Sequence, residues 1–199
     1  MGGLSSTESR VDRRALVSEL HGAMPEALVV TGLGSATYDA FAAGDRDLTF
    51  YLWGAMGGAT PIGLGLALAQ PDRSVMVLTG DGEQLMGIGS LASVAAQQPP
   101  NLTIVVLDNG HFGETGMQAS HTSLGTDLAA TAKGLGIADS FKLTSLADVD
   151  AVVQRIKARA GTAFIHALIR ADDPPKAMPA RDGVYVKNRF RAALGFGPF

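Results

Sequence analysis

Two polar residues, Asp81 and Asn109, follow short apolar runs and could bind a metal ion together. Asp81 comes one glycine after residues 75–79, and Asn109 follows residues 103–107 and Asp108. Such β-branched runs, bounded by Gly, Pro and Asn, predict buried parallel strands joined by one crossover helix. The carboxyl ends of parallel strands meet at one edge of the sheet, where open α/β sheets bind ligands. A carboxylate and an amide oxygen there suit a hard divalent cation that also holds phosphate oxygens.

Each of these residues, taken alone, has a simpler interpretation. Asp81 could cap the helix that follows it, and Asn109-Gly110 could be an ordinary turn. Glycines on both sides of Asp81 add a flexible loop of the kind that approaches phosphate closely. The joint occurrence of both features at the ends of neighbouring predicted strands favours the metal site.

A second segment, the glycine-rich residues 51–58, leads into a helix predicted over 58–69. Its Met56 could fill an irregular gap against aromatic rings, although a methionine in an apolar segment is more often part of the core. With the first motif, this segment resembles the thiamine diphosphate (ThDP) enzymes, in which Gly-Asp-Gly is followed at this spacing by Asn-Asn. Here Asp108 replaces the first Asn, and Asn109 keeps the second.

The resemblance implies a site for ThDP and Mg²⁺. Its metal ligands would be Asp81, Asn109 and the main-chain carbonyl of His111, with diphosphate oxygens and a water completing an octahedron. Gly82 and Glu83 would open the following helix, whose free backbone N–H groups attract the diphosphate.

The same resemblance assigns roles in the glycine-rich segment. Met56 would hold the two cofactor rings in a bent V shape, and the Gly54 carbonyl would accept a hydrogen bond from the exocyclic amine. Glycine there would let the backbone approach the ligand closely. The implied cofactor-binding residues are Gly54, Met56, Gly80, Asp81, Gly82, Glu83, Asn109, Phe112 and Gly113.

The composition agrees with one α/β domain. The 199 residues suffice for a single domain with a sizeable core. Hydrophobic residues make up 46% of the chain, yet no apolar stretch approaches the roughly 18 residues of a membrane span. We therefore expect the high content of hydrophobic residues to form a buried sheet and a subunit interface. A net charge of −3 and the lack of a Lys/Arg cluster argue against nucleic acid, and the lack of cysteine excludes thiolate metal sites. We expect a cytoplasmic enzyme without a membrane partner.

Alternating apolar runs and helical segments predict a doubly wound, mainly parallel six-stranded sheet with helices on both faces. The predicted strands are 27–31, 48–52, 75–79, 103–107, a short one around Phe141, and 163–169. The predicted helices are 12–23, a short one after Ser35, 58–69, 85–97, 126–135, 145–160 and 186–194. Residues 110–124 are expected to be an irregular loop. The domain would cover 12–170, between a disordered tail at 1–11 and a C-terminal extension, 171–199, that ends in a helix.

The glycines Gly32 and Gly34 after the first strand also resemble the start of a dinucleotide fingerprint. Thr37 stands where the third glycine belongs, and residues 52–54 lack the acidic group that would bind a ribose hydroxyl. A nicotinamide enzyme is one alternative, and a non-catalytic flavodoxin-like binding domain is another. Neither alternative predicts binding of ThDP with Mg²⁺.

ThDP enzymes also need a glutamate that protonates the pyrimidine ring, and their family carries it on a separate pyrimidine-binding domain. The five glutamates of this chain are Glu8, Glu19, Glu26, Glu83 and Glu114. None of them has the expected setting. The resemblance therefore implies half of a split enzyme, whose partner in a hetero-oligomer is a pyrimidine-binding subunit.

Among split ThDP enzymes, residues 29–169 are most similar to the sulfopyruvate decarboxylase β subunit and the matching part of phosphonopyruvate decarboxylase. The shared features include Thr115-Gly116-x-Gln118. This resemblance implies decarboxylation of a small 2-oxo acid with an anionic tail. Acetolactate synthase shares the core motif, so a carboligating subunit remains an alternative.

The loop from Gly113 to His121 is the predicted place for substrate contacts, because loops at the carboxyl ends of strands carry such roles. His111 and His121 are candidate proton donors to the reaction intermediate, since imidazole titrates near working pH. The alternative is that both are solvent-exposed loop histidines without a catalytic role. We expect His21 and His166 to be structural.

Overall fold

The computed structural model of the chain describes residues 10–197. Its strands are β1 (Leu28–Thr31), β2 (Thr49–Tyr51), β3 (Val75–Gly80), β4 (Leu102–Asp108), β5 (His111–Phe112), β6 (Gln118–Ala119), β7 (Asp139–Leu143) and β8 (Ala163–Leu168). Six of them form one parallel sheet in the order β2-β1-β3-β4-β8-β7, and β5 and β6 form an antiparallel hairpin. The predicted doubly wound sheet is confirmed, and the hairpin was not predicted.

Helices cover both faces of the sheet. They are α1 (Arg13–Ala23), α2 (Ser35–Ala42), α3 (Ala59–Ala69), α4 (Asp81–Met86), α5 (Ser90–Gln97), α6 (Leu128–Gly134), α7 (Val149–Ala158) and α8 (Gly183–Ala193). Successive strand residues face opposite ways, so Leu78 packs with α1, α2 and α7, whereas Val77 packs with α3, α5 and α6. Strands buried on both faces explain the continuous apolar runs of the sequence.

The helix predicted over residues 85–97 is two helices. A Cβ on Gly87 would lie 2.4 Å from the carbonyl oxygen of Gly57, so two backbones touch at this point. The first helix ends at Met86 and the second begins at Ser90, with the close contact between them. Only glycine permits such an approach, and the chain bends there to accommodate it.

The ends of the predicted domain contact the sheet. Residues 1–9 of the predicted disordered tail lie outside the described residues. Val11, also assigned to that tail, is instead buried and lies opposite Ile169 in a parallel bridge, hydrogen-bonded to the backbones of Leu168 and Arg170. At the other end, α8 packs along β2, with the Phe190 and Phe50 rings 5.8 Å apart. No helix within residues 10–197 is long and apolar enough to span a bilayer.

His21 should make the stability of the fold depend on pH. Burial first, and then the charge of Arg46, lower the pKa of His21 to about 4, and Arg46 Nε donates to His21 Nε2 at 2.9 Å. Between that value and the ordinary 6.5, the unfolded chain binds a proton that the folded chain does not. His21 should therefore lower the free energy of unfolding by about 1–3 kcal/mol as the pH drops from 6.5 to 4, whereas the raised pKa values of Asp81 and Glu83 act in the opposite direction.

Urea unfolding curves at several pH values measure this dependence. Between pH 6.5 and pH 4, the wild type should lose about 1–3 kcal/mol more unfolding free energy than His21→Leu does. An unchanged pH dependence in His21→Leu would assign the effect to another group.

Candidate cofactor and metal site

A cleft of about 380 Å³ opens beyond the carboxyl ends of β1, β3 and β4. Here the strand order reverses, which is where doubly wound sheets bind ligands. The predicted site residues that line it are Met56, Gly80, Asp81, Gly82, Glu83, Asn109, His111, Phe112 and Gly113. Gly54 and His121 lie outside this lining. A larger groove of about 780 Å³, near Ala27 and Ser74 at the opposite edge, contains none of the predicted residues.

Asp81 begins α4 and is 3% exposed, while Gly80 holds the N-cap position. Ser120 Oγ donates a hydrogen bond to Asp81 Oδ2, and Thr122 Oγ1 lies 3.3 Å from the same oxygen. Burial, and then the nearby Asp108 carboxylate, raise the pKa of Asp81 to about 6. A bound divalent cation would offset both effects by its own charge. This environment fits a metal ligand better than a simple helix cap.

Asn109 follows β4 directly, beside the end of β3. Its Oδ1 accepts a hydrogen bond from the His111 backbone N–H at 2.8 Å, and His111 Nδ1 lies 2.8 Å from the Asn109 carbonyl oxygen. Because a carbonyl only accepts, Nδ1 carries the proton of the neutral ring and Nε2 is its basic nitrogen. The amide oxygen has two lone pairs, so Asn109 could bind a metal and still accept from His111.

The donor set fits magnesium held jointly with a diphosphate. Within residues 10–197, no group of three or more His, Cys, Asp or Glu side chains is arranged to hold a metal. Asp81, Asn109 and the His111 carbonyl would fill half of an octahedron, leaving the rest for phosphate and water, which is the usual arrangement for magnesium. The assignment of these three ligands stays a prediction.

Two glycines shape the segment that carries Met56. Gly54 and Gly57 have φ values of +77° and +86°, in the left-handed region that other residues rarely adopt. Gly57 also rests on Gly87 at the end of α4. Met56 lines the cleft and is 40% exposed, which is unusual for a core methionine. This exposure supports the predicted wedge.

The buried side chain of Glu83 lies between the end of β3 and the loop that follows β1. The residue is 3% exposed, and its Oε2 accepts from Thr79 Oγ1 at 3.0 Å. Burial raises the pKa of Glu83, whereas the Thr79 hydroxyl and the nearby backbone N–H groups of Leu33, Gly57 and Ala59 lower it. A Cβ on Gly32 would lie 1.6 Å from Oε2. The glycine of the dinucleotide-like sequence therefore makes room for a protein side chain rather than for a pyrophosphate.

Residues 110–124, expected to be an irregular loop, form the β5–β6 hairpin and a 3-10 turn at His121–Leu124. The hydroxyls of Ser120 and Thr122 join this segment to the carboxylates of Asp81 and Asp108. The sequence placed Ser120 in the predicted substrate loop without this role and did not identify Thr122. Their role depends on the chain folding back over 39 positions between Asp81 and Ser120, which no local pattern encodes. His121 is exposed, with its ring 6.2 Å from that of Phe112, so its catalytic role stays a prediction.

The C-terminal extension passes beside the cleft. Lys176 Nζ lies 3.3 Å from Glu114 Oε2 on the hairpin segment. Trp53 Nε1 donates to the Ala180 carbonyl at 3.0 Å. The extension therefore contacts both the hairpin and the segment that carries Met56, two features that the sequence did not connect with it.

The parallel sheet, the cleft at its switch point and this donor set define a ThDP-binding domain. Residues 32–167 match the family described as "Thiamine pyrophosphate enzyme, C-terminal TPP binding domain", and the chain belongs to this family. This family assignment argues against the nicotinamide-binding and flavodoxin-like alternatives. The Glu83 side chain, which occupies the space beside Gly32, also argues against a dinucleotide there.

Similar proteins include a phosphonopyruvate decarboxylase from Streptomyces viridochromogenes, 39% identical over 96% of this chain. The chain spans 48%, about half, of that relative. The sulfopyruvate decarboxylase subunit beta of Methanothermobacter thermautotrophicus is 34% identical over 90% of this chain and 94% of its own length. In fold, the chain resembles a ThDP-dependent 4-hydroxybenzoylformate decarboxylase from Rhodococcus jostii RHA1. The TM-score is 0.68 at 23% identity, covering 87% of this chain and 35% of that one.

Proposed function

We propose that this chain is the magnesium- and diphosphate-binding part of a ThDP-dependent decarboxylase. Its substrate would be a small 2-oxo acid with an anionic tail, of the sulfopyruvate or phosphonopyruvate type. The observation that carries the proposal is the pairing of Asp81 and Asn109 at neighbouring strand ends in the cleft that Met56 lines. Two relatives that align with 90% or more of this chain are named as phosphonopyruvate and sulfopyruvate decarboxylases, and these names support the proposed substrate class.

The residues of this chain would bind and orient the reactants. Asp81, Asn109 and the His111 carbonyl would hold Mg²⁺, which in turn holds the diphosphate. Met56 would support the bent arrangement of the rings. When bound, ThDP supplies a carbon nucleophile and an electron sink for the electron pair left when CO₂ departs.

Other residues would control protons and water at the reacting carbon. His111 lines the cleft with Nε2 as its basic nitrogen, so it could hold a proton for that carbon, and His121 is the second candidate. The β5–β6 hairpin, which begins beside the cleft, could close over it and exclude water.

The activating glutamate would come from a pyrimidine-binding partner. Among the glutamates of the cleft, Glu83 is directed inward to Thr79, and Glu114 is paired with Lys176. Several large apolar side chains in and around the cleft are exposed: Met56 at 40%, Met86 at 67%, Met117 at 42% and Leu124 at 75%. Such an apolar surface around a cleft is typical of a protein interface.

The test compares CO₂ release by the chain alone and by the chain co-expressed with a pyrimidine-binding subunit. Pyruvate, sulfopyruvate and phosphonopyruvate are the substrates. Without the partner, turnover should be at least about 100-fold lower, because a general acid–base group is missing. The complex should prefer the two substrates with anionic tails.

Two outcomes would contradict parts of the proposal. Full turnover by the single chain would refute the need for a partner. A carboligated ketone as the main product from pyruvate, identified by NMR, would favour the acetolactate synthase-like alternative. One acetolactate synthase large subunit, 33% identical over 60% of this chain, also supports that alternative.

A further inference from the structure

A buried hydrogen-bonded pair of side chains lies next to the proposed metal site, at the position where the chain departs from the common Asn-Asn motif. Asp108 ends β4, and His166 lies on the adjacent strand β8. His166 Nε2 is 2.5 Å from Asp108 Oδ2, and both residues are 2% exposed. The sequence predicted a structural role for His166 and did not connect it with Asp108.

Asp108 is connected with the metal-site turn through its other oxygen. Asp108 Oδ1 accepts from the Gly110 backbone N–H at 2.7 Å and from Thr122 Oγ1 at 2.8 Å. Gly110 lies between Asn109 and His111, so the first bond fixes the turn that carries two of the three proposed metal ligands. Thr122 is also 3.3 Å from Asp81 Oδ2, which brings the third ligand into the same network.

An aspartate in this position needs a partner that an asparagine would not. Asp108 adds a buried negative charge beside Asp81, and a buried charge is costly unless it is paired. His166 supplies a donor directly to the Asp108 carboxylate. On its other side, His166 Nδ1 faces Asp127 Oδ1 at 3.8 Å, and Asp127 caps α6 by accepting from the Ala130 N–H.

We infer that Asp108 and His166 form a positioning pair that holds the turn of the metal site in its binding geometry. The inference rests on the proposed magnesium–diphosphate site and deepens it. Without His166, the Asp108 carboxylate would lose its hydrogen bond from Nε2 and rotate toward water. This rotation weakens its bonds to Gly110 and Thr122 and so displaces Asn109. Asp108→Asn, the residue of the common motif, carries no charge and needs no such partner.

A double-mutant cycle tests this inference. The variants are His166→Leu, Asp108→Asn, their combination, and His166→Gln, which keeps a side-chain donor. His21→Leu is the matched control, because it also removes a buried histidine and its hydrogen bond but at a position that does not line the cleft. Calorimetry measures the dissociation constant of ThDP at saturating Mg²⁺, and thermal melts of the cofactor-free proteins measure stability.

His166→Leu should weaken ThDP binding about 10-fold, the lower end of the effect of removing a polar group bonded to a metal ligand, because His166 acts on the ligands through Asp108. Adding Asp108→Asn should recover most of this loss, and His166→Gln should bind more tightly than His166→Leu. His21→Leu should leave affinity within about twofold of wild type although it lowers the melting temperature, because coupling between distant sites is small.

The outcomes separate this inference from the proposed function. Equal or tighter ThDP binding by His166→Leu, or additive losses in the double variant, would overturn the positioning pair while leaving the metal site intact. A wild-type chain that binds no ThDP with Mg²⁺, alone or with its partner, would overturn the proposed function and this inference together.

Discussion

Replacing Asp81 by alanine is expected to abolish magnesium-dependent ThDP binding without unfolding the chain. Asp81 is the only charged protein ligand of the proposed metal, so the loss should exceed the roughly 10- to 100-fold effect of removing an outer partner. Burial and Asp108 already disfavour its ionised form. The loss of the hydrogen bonds from Ser120 and Thr122 opposes the gain from removing this charge, so the cofactor-free variant should stay folded and melt within a few degrees of wild type. Calorimetric titration of ThDP with Mg²⁺, together with a thermal melt, measures both quantities.

A second aspartate provides the control for this experiment. Asp182 caps α8 by accepting from the backbone N–H groups of Val184 and Tyr185. Asp182→Ala should cost about 1 kcal/mol of stability, or about 2–4 °C in melting temperature, and leave ThDP affinity unchanged. If Asp81→Ala gave this same pattern, Asp81 would be a helix cap and the metal assignment would fail.

The substitution Met56→Ala is expected to lower turnover about 100-fold while changing ThDP affinity much less. Met56 would contact the rings and not the diphosphate, and a small displacement of the reacting groups costs on the order of a hundredfold in rate. The side chain is 40% exposed, so the variant should fold normally. Steady-state kinetics of the complex with the pyrimidine-binding subunit, and calorimetry, separate the two effects.

Met178→Ala is the matched control for Met56. It removes a methionine of nearly equal exposure, 42%, that does not line the cleft. Turnover should remain at the wild-type level in this variant. Full turnover by Met56→Ala would mean that this methionine has no part in orienting the cofactor.

The strands and the Gly-Asp-Gly and Asp-Asn positions could be predicted because their signals are local. A buried parallel strand is apolar on both faces, so β3 and β4 appear as continuous β-branched runs, and the polar residues that follow must reach the carboxyl edge of the sheet. The family match over residues 32–167 confirms the class of cofactor that this pattern indicated.

Local patterns failed where two distant segments touch. The helical pattern over 85–97 has no internal signal for a break, and only the contact of Gly87 with Gly57 decides it. In the same way, the buried position of Val11 depends on pairing with Ile169 at the far end of the chain. A periodic hydrophobic pattern describes one face of a single helix or strand. It carries no information about which distant segment will pack against that helix or strand.

The sequence by itself determined the fold class and the positions of Asp81 and Asn109, because each follows from residue type and short-range spacing, and its resemblance to ThDP enzymes implied the cofactor class and a place for Met56. Only the tertiary structure decided how these groups are held. The Asp108–His166 bond and the Ser120 bond to Asp81 join residues 58 and 39 positions apart. Buried polar groups take whichever partner the packed chain brings within reach, so their pairing is a property of the fold.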